Sequence, residues 1–167
     1  VTADGKVEAL IAELEKDRVS LVFVRTKRGA DRLVQKLTRR GIDAVAMHGD
    51  LTQRAREKAL ARFSEGKVTT LVATDVAARG LDVSGITHVI NFDPPETVED
   101  YIHRAGRTAR GTATGIVSTL ASWIDKMRIK EIEATLGEEL PRCTVPGVEP
   151  YVEMKPRVSL SSRRATL

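Results

Sequence analysis

One cysteine, Cys143, in 167 residues excludes an internal disulfide. Three histidines, scattered and without cysteine neighbours, give no zinc-ligand spacing. Aromatic residues make up only 4% of the chain, too few to build the stacking platforms on which single-strand binders lay successive bases. No apolar run approaches the roughly 18 residues of a membrane-spanning helix. No secretory leader opens the chain, which starts Val1-Thr2-Ala3 without a methionine. These absences imply a reducing, cytoplasmic setting away from membranes and a piece excised from a longer polypeptide. They leave the oligomeric state open.

What is present describes an ordinary globular body, 41% hydrophobic and 30% charged, long enough for one domain with a sizeable core plus a tail. Its formal charge of +4 is unevenly spread. Lys155, Arg157, Arg163 and Arg164 against Glu153 give residues 151–167 most of it, so residues 1–150 are nearly neutral. Affinity of the body for a polyanion must therefore come from local clusters rather than a global field.

Helical and strand patterns alternate along the chain. Asp4 is a fair N-cap for a helix to about residue 16, with Val7, Leu10, Ile11 and Leu14 at helical spacing. The short continuous apolar run at 20–24 reads as a strand buried on both faces, and 44–48, 69–74, 88–92 and 115–120 read as four further strands. Helical patterns at 29–40, 50–63, 98–109 and 124–136 separate or follow them. Such alternation implies right-handed crossovers: an α/β fold with a mostly parallel central sheet and helices on both faces. The prolines from Pro141 onward and the Ser/Arg-rich ending divide the chain into a domain at 1–140 and an irregular segment with a basic tail at 141–167.

Ligands of such sheets bind beyond the carboxyl ends of the strands. After the first strand come Arg25, Thr26, Lys27 and Arg28, either a solvated basic loop or a phosphate contact. After the second, Asp50 and Gln53 form a capping box, while Gln53 and Arg56 one turn apart at a helix start also suit an anion; the two readings are compatible. After the third comes Ala73-Thr74-Asp75-Val76-Ala77-Ala78-Arg79-Gly80-Leu81-Asp82. Its small residues let backbone approach a ligand closely. Asp75 either caps the following turn or faces that ligand, and Asp82 either accepts a ribose hydroxyl or marks a surface turn.

The densest chemistry lies in Tyr101-Ile102-His103-Arg104-Ala105-Gly106-Arg107-Thr108-Ala109-Arg110-Gly111. In a helix over 98–109, Ile102, Ala105 and Ala109 form the buried stripe. His103, Arg107 and Arg110 then project from another face with Arg104 beside them. Arginine's planar, always-charged fork matches phosphate oxygens. The plainer reading is a basic last turn that complements the helix dipole.

Together these stretches resemble the second RecA-like domain of a DEAD-box RNA helicase over about residues 5–140. Four family motifs stand in order: Leu21-Val22-Phe23-Val24-Arg25-Thr26-Lys27, the Gln53/Arg56 pair, the stretch from Ala73 to Asp82, and His103 to Arg110. Ala105 and Ala109 depart from the commonest wording, at uncharged positions.

The resemblance implies that Arg107 and Arg110 act as arginine fingers on the γ-phosphate of ATP and that Asp82 contacts the ribose. It implies that His103, Arg104, Asp75 and Arg79 couple the nucleotide site to the RNA site, where Arg25, Thr26, Gln53, Arg56, Thr74 and Gly80 meet the backbone. Backbone contacts carry little sequence information. No phosphate-binding Gly-x-x-x-x-Gly-Lys-Ser/Thr loop and no Asp-Glu-Ala-Asp segment occurs. The resemblance therefore implies an N-terminal RecA-like partner domain that supplies both, together with most of the Mg2+ ligands. Competing readings are a DNA motor, disfavoured by the Arg79-Gly80-Leu81-Asp82 wording, and a non-catalytic RNA- or protein-binding module that keeps the fold.

Overall fold

The computed structural model describes residues 5–14, 16, 18–108, 114–143 and 148. Five strands, β1 (Ser20–Phe23), β2 (Ala44–Met47), β3 (Thr70–Ala73), β4 (His88–Asn91) and β5 (Ile116–Thr119), form one parallel sheet in the order β2-β3-β1-β4-β5. Every residue of β1, β3 and β4 is buried, which is why these runs read as continuous rather than alternating. The register is flush. Met47, Ala73, Phe23, Asn91 and Thr119 lie side by side as the last row of the sheet, so every carboxyl-end loop starts at one level.

Successive side chains leave a strand on opposite faces, and two cores result. Leu21 and Phe23 pack with Val45, Met47 and Val89 on one face. There they meet Ala59 and Phe63 of α3 (Gln53–Ser64) and Ala77 and Ala78 of the short α4 (Asp75–Ala78). Val22 and Val24 face the other side, against Ala9 and Leu10 of α1 (Lys6–Leu14) and Ala30, Leu33 and Leu37 of α2 (Lys27–Arg39), with Val148 in the same cluster. A third cluster, Tyr101 with Ile129 and Ile132, joins α5 (Val98–Ala105) to α6 (Lys126–Leu136).

The two edges of the sheet are built differently. At the carboxyl edge, α2, α3 and α5 each start on a threonine, Thr26, Thr52 and Thr97, whose hydroxyl accepts a backbone N–H of the first turn. At the amino edge the chain re-enters β2 and β3 through Gly41 (φ 79°) and Gly66 (φ 70°), left-handed positions that disfavour any side chain.

Two expectations are corrected here. The cap of α3 is Thr52, not Asp50, because the Asp50 carboxylate instead accepts from Lys27 Nζ at 2.6 Å and the Gln53 amide turns to Glu57 at 3.0 Å. The helix expected over 98–109 ends at Ala105. Beyond it Arg107 N and Thr108 N bond three residues back, to Arg104 O and Ala105 O, a tightened last turn. The buried Thr108 hydroxyl, donating to Ile86 O at 2.7 Å, fixes the chain's exit. Asp4 and residues 109–113, with Ala109 and Arg110, lie outside the described residues, as do 144–147 and 149–167.

Candidate functional site

The side chain at the centre of the carboxyl edge is Arg104, and it is only 3% exposed. Its Nε and one terminal nitrogen donate to the two carboxylate oxygens of Asp75, each at 2.6 Å. The other terminal nitrogen donates to Asn91 Oδ1 at 3.0 Å and to Asp93 O at 2.8 Å. The guanidinium also lies 4.8 Å from the Phe23 ring centroid, a cation–π contact. One residue of α5 thus ties together the carboxyl ends of β1, β3 and β4. A charge so enclosed is tolerated because a bidentate carboxylate and two neutral oxygens replace its water.

This arrangement overturns the comb. Arg104 does not project beside its neighbours; it is the buried residue, with Tyr101 one turn before it. Ile102, expected inward, is 52% exposed, and Ala105 is half-buried. The helix is rotated by about one position because Arg104 finds a full set of acceptors at the strand ends and Tyr101 finds the apolar wall of α6. Hydrophobic spacing alone could not foresee a buried cation.

Arg107 is positioned differently. Half-buried, it makes two long contacts to carbonyl oxygens, Nε to His103 O and a terminal nitrogen to Leu81 O, each at 3.4 Å. It lines a shallow depression with Asp75, Arg79, His103 and Arg104. Leu81 O places it directly beside Asp82, which is exposed on the same loop. His103 is exposed, with Nε2 4.0 Å from Glu99. Arg79 is exposed, and its side chain has no hydrogen bond among the described residues. Arg110 lies outside the described residues.

The residues assigned to an RNA backbone fall on the same edge in two groups. Arg25 follows β1; its backbone N–H donates to Asp93 Oδ2 at 2.8 Å and its Nε lies 3.6 Å from Glu96. The Thr26 hydroxyl caps α2 by accepting from Gly29 N at 2.9 Å. Across β3, Arg56 donates to Ala77 O at 3.2 Å, holding α3 against α4, while Gln53 is exposed. Thr74 is buried. A Cβ at Gly80 would meet nothing within 4 Å, so no contact inside the described chain requires glycine there.

Sequence reasoning missed three partners of Arg104, namely Phe23, Asn91 and Asp93. The signal was available: Asn91 closes β4 and Asp93 follows it, and the rule applied to the ends of β1, β2 and β3 holds equally for β4. It also missed a pin beneath the β2–α3 loop. His48, 4% exposed, has Nε2 at 2.8 Å from Asp31 Oδ1 of α2, and its Nδ1 accepts Asp50 N–H at 3.3 Å. Beside it the Lys27 ammonium holds the exposed Asp50 carboxyl below its ordinary range.

A five-stranded parallel sheet with helices on both faces and arginines gathered at its carboxyl edge defines a RecA-like α/β domain. Residues 5–112 match the family described as helicase conserved C-terminal domain. The chain is 42% identical over 157 residues to the DEAD-box ATP-dependent RNA helicase CshA of Bacillus subtilis, covering 94% of this chain and 32% of that protein. It therefore spans about a third of the length of the curated relatives it matches. Its fold superposes on the E. coli DEAD-box protein SrmB, solved bound to regulator of ribonuclease activity A, with a TM-score of 0.82 at 34% identity, covering 90% of this chain and 89% of that one. It also matches a variant of S. cerevisiae Dbp5 solved bound to RNA and ADP BeF3, with a TM-score of 0.74 at 30% identity, covering 81% and 37%. The chain belongs to the helicase conserved C-terminal domain family, as the second RecA-like domain of the DEAD-box type.

Proposed function

We propose that this domain is the C-terminal half of an ATP-dependent RNA helicase, working in the cytoplasm with an N-terminal RecA-like domain of the same protein. The contrast between two arginines three residues apart carries this reading. Arg104 spends its donors on Asp75, Asn91 and Asp93, whereas among the described residues Arg107 makes two hydrogen bonds, both long. Arg107 is a fork held at the rim and available to an anion; Arg104 is the bolt beneath it.

The donor set fits an ATP presented from across a cleft. Arg107 supplies N–H groups toward a terminal phosphate, and Arg110 is assigned the same role from the resemblance. The exposed Asp82 carboxylate beside Arg107 suits a ribose hydroxyl. When bound, ATP would supply the γ-phosphate on which the two domains close and which passes to water on hydrolysis; Arg107 would stabilise the charge that builds there. Among the described residues no three His, Cys, Asp or Glu side chains converge on a metal position; the Mg2+ that accompanies ATP is assigned to the first domain. We assign Arg25, Thr26, Gln53, Arg56, Thr74 and Gly80 to the RNA backbone, and Asp75, Arg79, His103 and Arg104 to the coupling of that surface with the nucleotide. Among the described residues no helix is long and apolar enough to cross a membrane. The basic residues 151–167 add affinity for RNA without reading its sequence.

The test is steady-state hydrolysis by the full-length protein at saturating ATP and RNA. Arg107→Ala should reduce turnover by at least about tenfold with the melting temperature unchanged, and Arg107→Lys should not restore it, since a point charge lacks the planar fork. Near-normal turnover of Arg107→Ala would refute the finger assignment.

A further inference from the structure

We propose that the solvent face of α2 is a second RNA-backbone surface, taking strand that continues past the segment held at the carboxyl edge. The inference rests on the RNA-helicase reading and extends it to residues outside the family motifs. Residues 27–40 hold six Lys or Arg and one Asp, within a body of residues 1–150 whose net charge is only +1. The remainder of that body is therefore net negative, and although α3 carries four Lys or Arg against one Glu, the basic residues are densest on α2.

Arg28, Arg32 and Lys36 recur every fourth residue with Arg39 completing the row, and all four are exposed. Among the described residues none has a side-chain hydrogen bond or ion pair. Neighbouring acids are engaged by other groups: Asp31 with His48, Asp50, which Arg28 feels only through space, with Lys27, and Glu8 with Arg40 at the row's far end. Other helices differ. On α3, Arg54, Lys58 and Arg62 are interrupted by Glu57, and on α6, Lys126, Arg128 and Lys130 are followed by Glu131 and Glu133.

As a solvated face this row is poorly arranged. Like charges four residues apart repel on a helix. The helix dipole favours Lys36 and Arg39 in the last turn but opposes Lys27 and Arg28 in the first, where no acid is present. A helix loaded against its own electrostatics points to an anion that the structure does not contain. Steps of about 6 Å between successive cations are comparable with the separation of phosphates on an extended strand. The row also begins where Arg25 and Thr26 end, so RNA leaving that loop meets Arg28 and can follow α2 down the flank.

The experiment compares full-length protein with the variant carrying Arg32→Gln, Lys36→Gln and Arg39→Gln, exposed changes to another good helix former. Two RNAs are used: the shortest strand that saturates RNA-stimulated ATP hydrolysis, and that strand extended at both ends. For the short strand, affinity and turnover should match wild type. For the extended strand the variant should bind at least about fivefold more weakly, and the slope of log affinity against log salt should shrink by about 2, three lost single-strand contacts. Equal affinity and slope on the extended RNA would overturn the proposal, as would an equal loss on both strands. Stronger competition for wild type by polyglutamate than by extended RNA of equal charge would also overturn it, in favour of an acidic protein. Absence of any RNA-stimulated hydrolysis in wild type would instead sink the helicase reading beneath it.

Discussion

Replacing Arg104 by alanine should cost the domain about 3–5 kcal/mol, the range for breaking a buried ion pair by removing one partner. The magnitude follows from what is left behind. Asp75 loses both donors at 2.6 Å, though with 32% of its side chain exposed, water recovers part of that loss. Asn91 Oδ1, on a residue with no exposure, gains nothing in return, and such an orphaned acceptor costs about 1–3 kcal/mol by itself. The Phe23 ring loses its cation, and the emptied stem leaves a gap at the junction of three strands. For a chain of this length the midpoint of thermal unfolding should fall by on the order of 10 °C.

The assay is thermal and denaturant unfolding of the 167-residue chain for Arg104→Ala, Asp75→Asn, the double variant and Arg107→Ala. Asp75→Asn should also destabilise, because it leaves an enclosed guanidinium without its counter-ion. The double variant should cost clearly less than the sum of the two. Arg107→Ala should stay within about 0.5 kcal/mol of wild type, as surface changes do. A loss below about 1 kcal/mol for Arg104→Ala, or strict additivity, would refute the idea that this arginine fastens the strand ends.

Three further outcomes are expected. The chain by itself should show no RNA-stimulated ATP hydrolysis, since neither phosphate-binding loop nor Asp-Glu-Ala-Asp segment occurs in it; robust turnover by the purified chain would contradict this. His88 is fully enclosed, its Nε2 2.8 Å from Ser118 Oγ and its Nδ1 without a hydrogen-bond partner among the described residues, and burial lowers its pKa from 6.5 to about 4 against the opposing pull of Glu13. The folded state therefore binds fewer protons than the unfolded chain between those values. Stability should be flat above pH 6.5 and fall by about 3 kcal/mol as pH drops toward 4, and His88→Gln should flatten the part of that profile that denaturant titrations assign to this group. Thr97→Ala removes the hydroxyl that accepts Asp100 N–H at 3.0 Å and should cost about 1 kcal/mol, with Thr97→Ser recovering most of it.

All five strands and their parallel arrangement were legible because the runs of β1, β3 and β4 are wholly buried, β2 nearly so, and even the more exposed edge strand β5 is a short β-branched run set between turn residues. Boundaries moved by a residue or two where caps decided them. Capped by Thr26, α2 starts at Lys27, two residues before the expected Gly29, and Thr52 displaces Asp50 because Lys27, distant in sequence, claims that carboxylate. The error at α5 has a deeper cause. Helical periodicity sorts residues by hydrophobicity, and Ile102 outranks Arg104 on any such scale. The burial of Arg104 depends on three acceptor residues contributed by α4, by β4 and by the segment after β4, whose convergence is a tertiary fact. For the same reason the His48–Asp31 pin had no local signature.

The different construction of the sheet's two edges predicts two kinds of mutational intolerance. A scan read by folding yield should mark the amino edge, where Gly41 and Gly66 answer to backbone angle and to nothing a ligand requires. The same scan read by turnover should mark Arg107, Asp82 and their neighbours, whose replacement leaves the fold standing. Only the pair of buried Arg104 and half-buried Asp75 should appear on both maps. Comparing yield with turnover, residue by residue, would trace the boundary between scaffold and machinery without a single bound ligand.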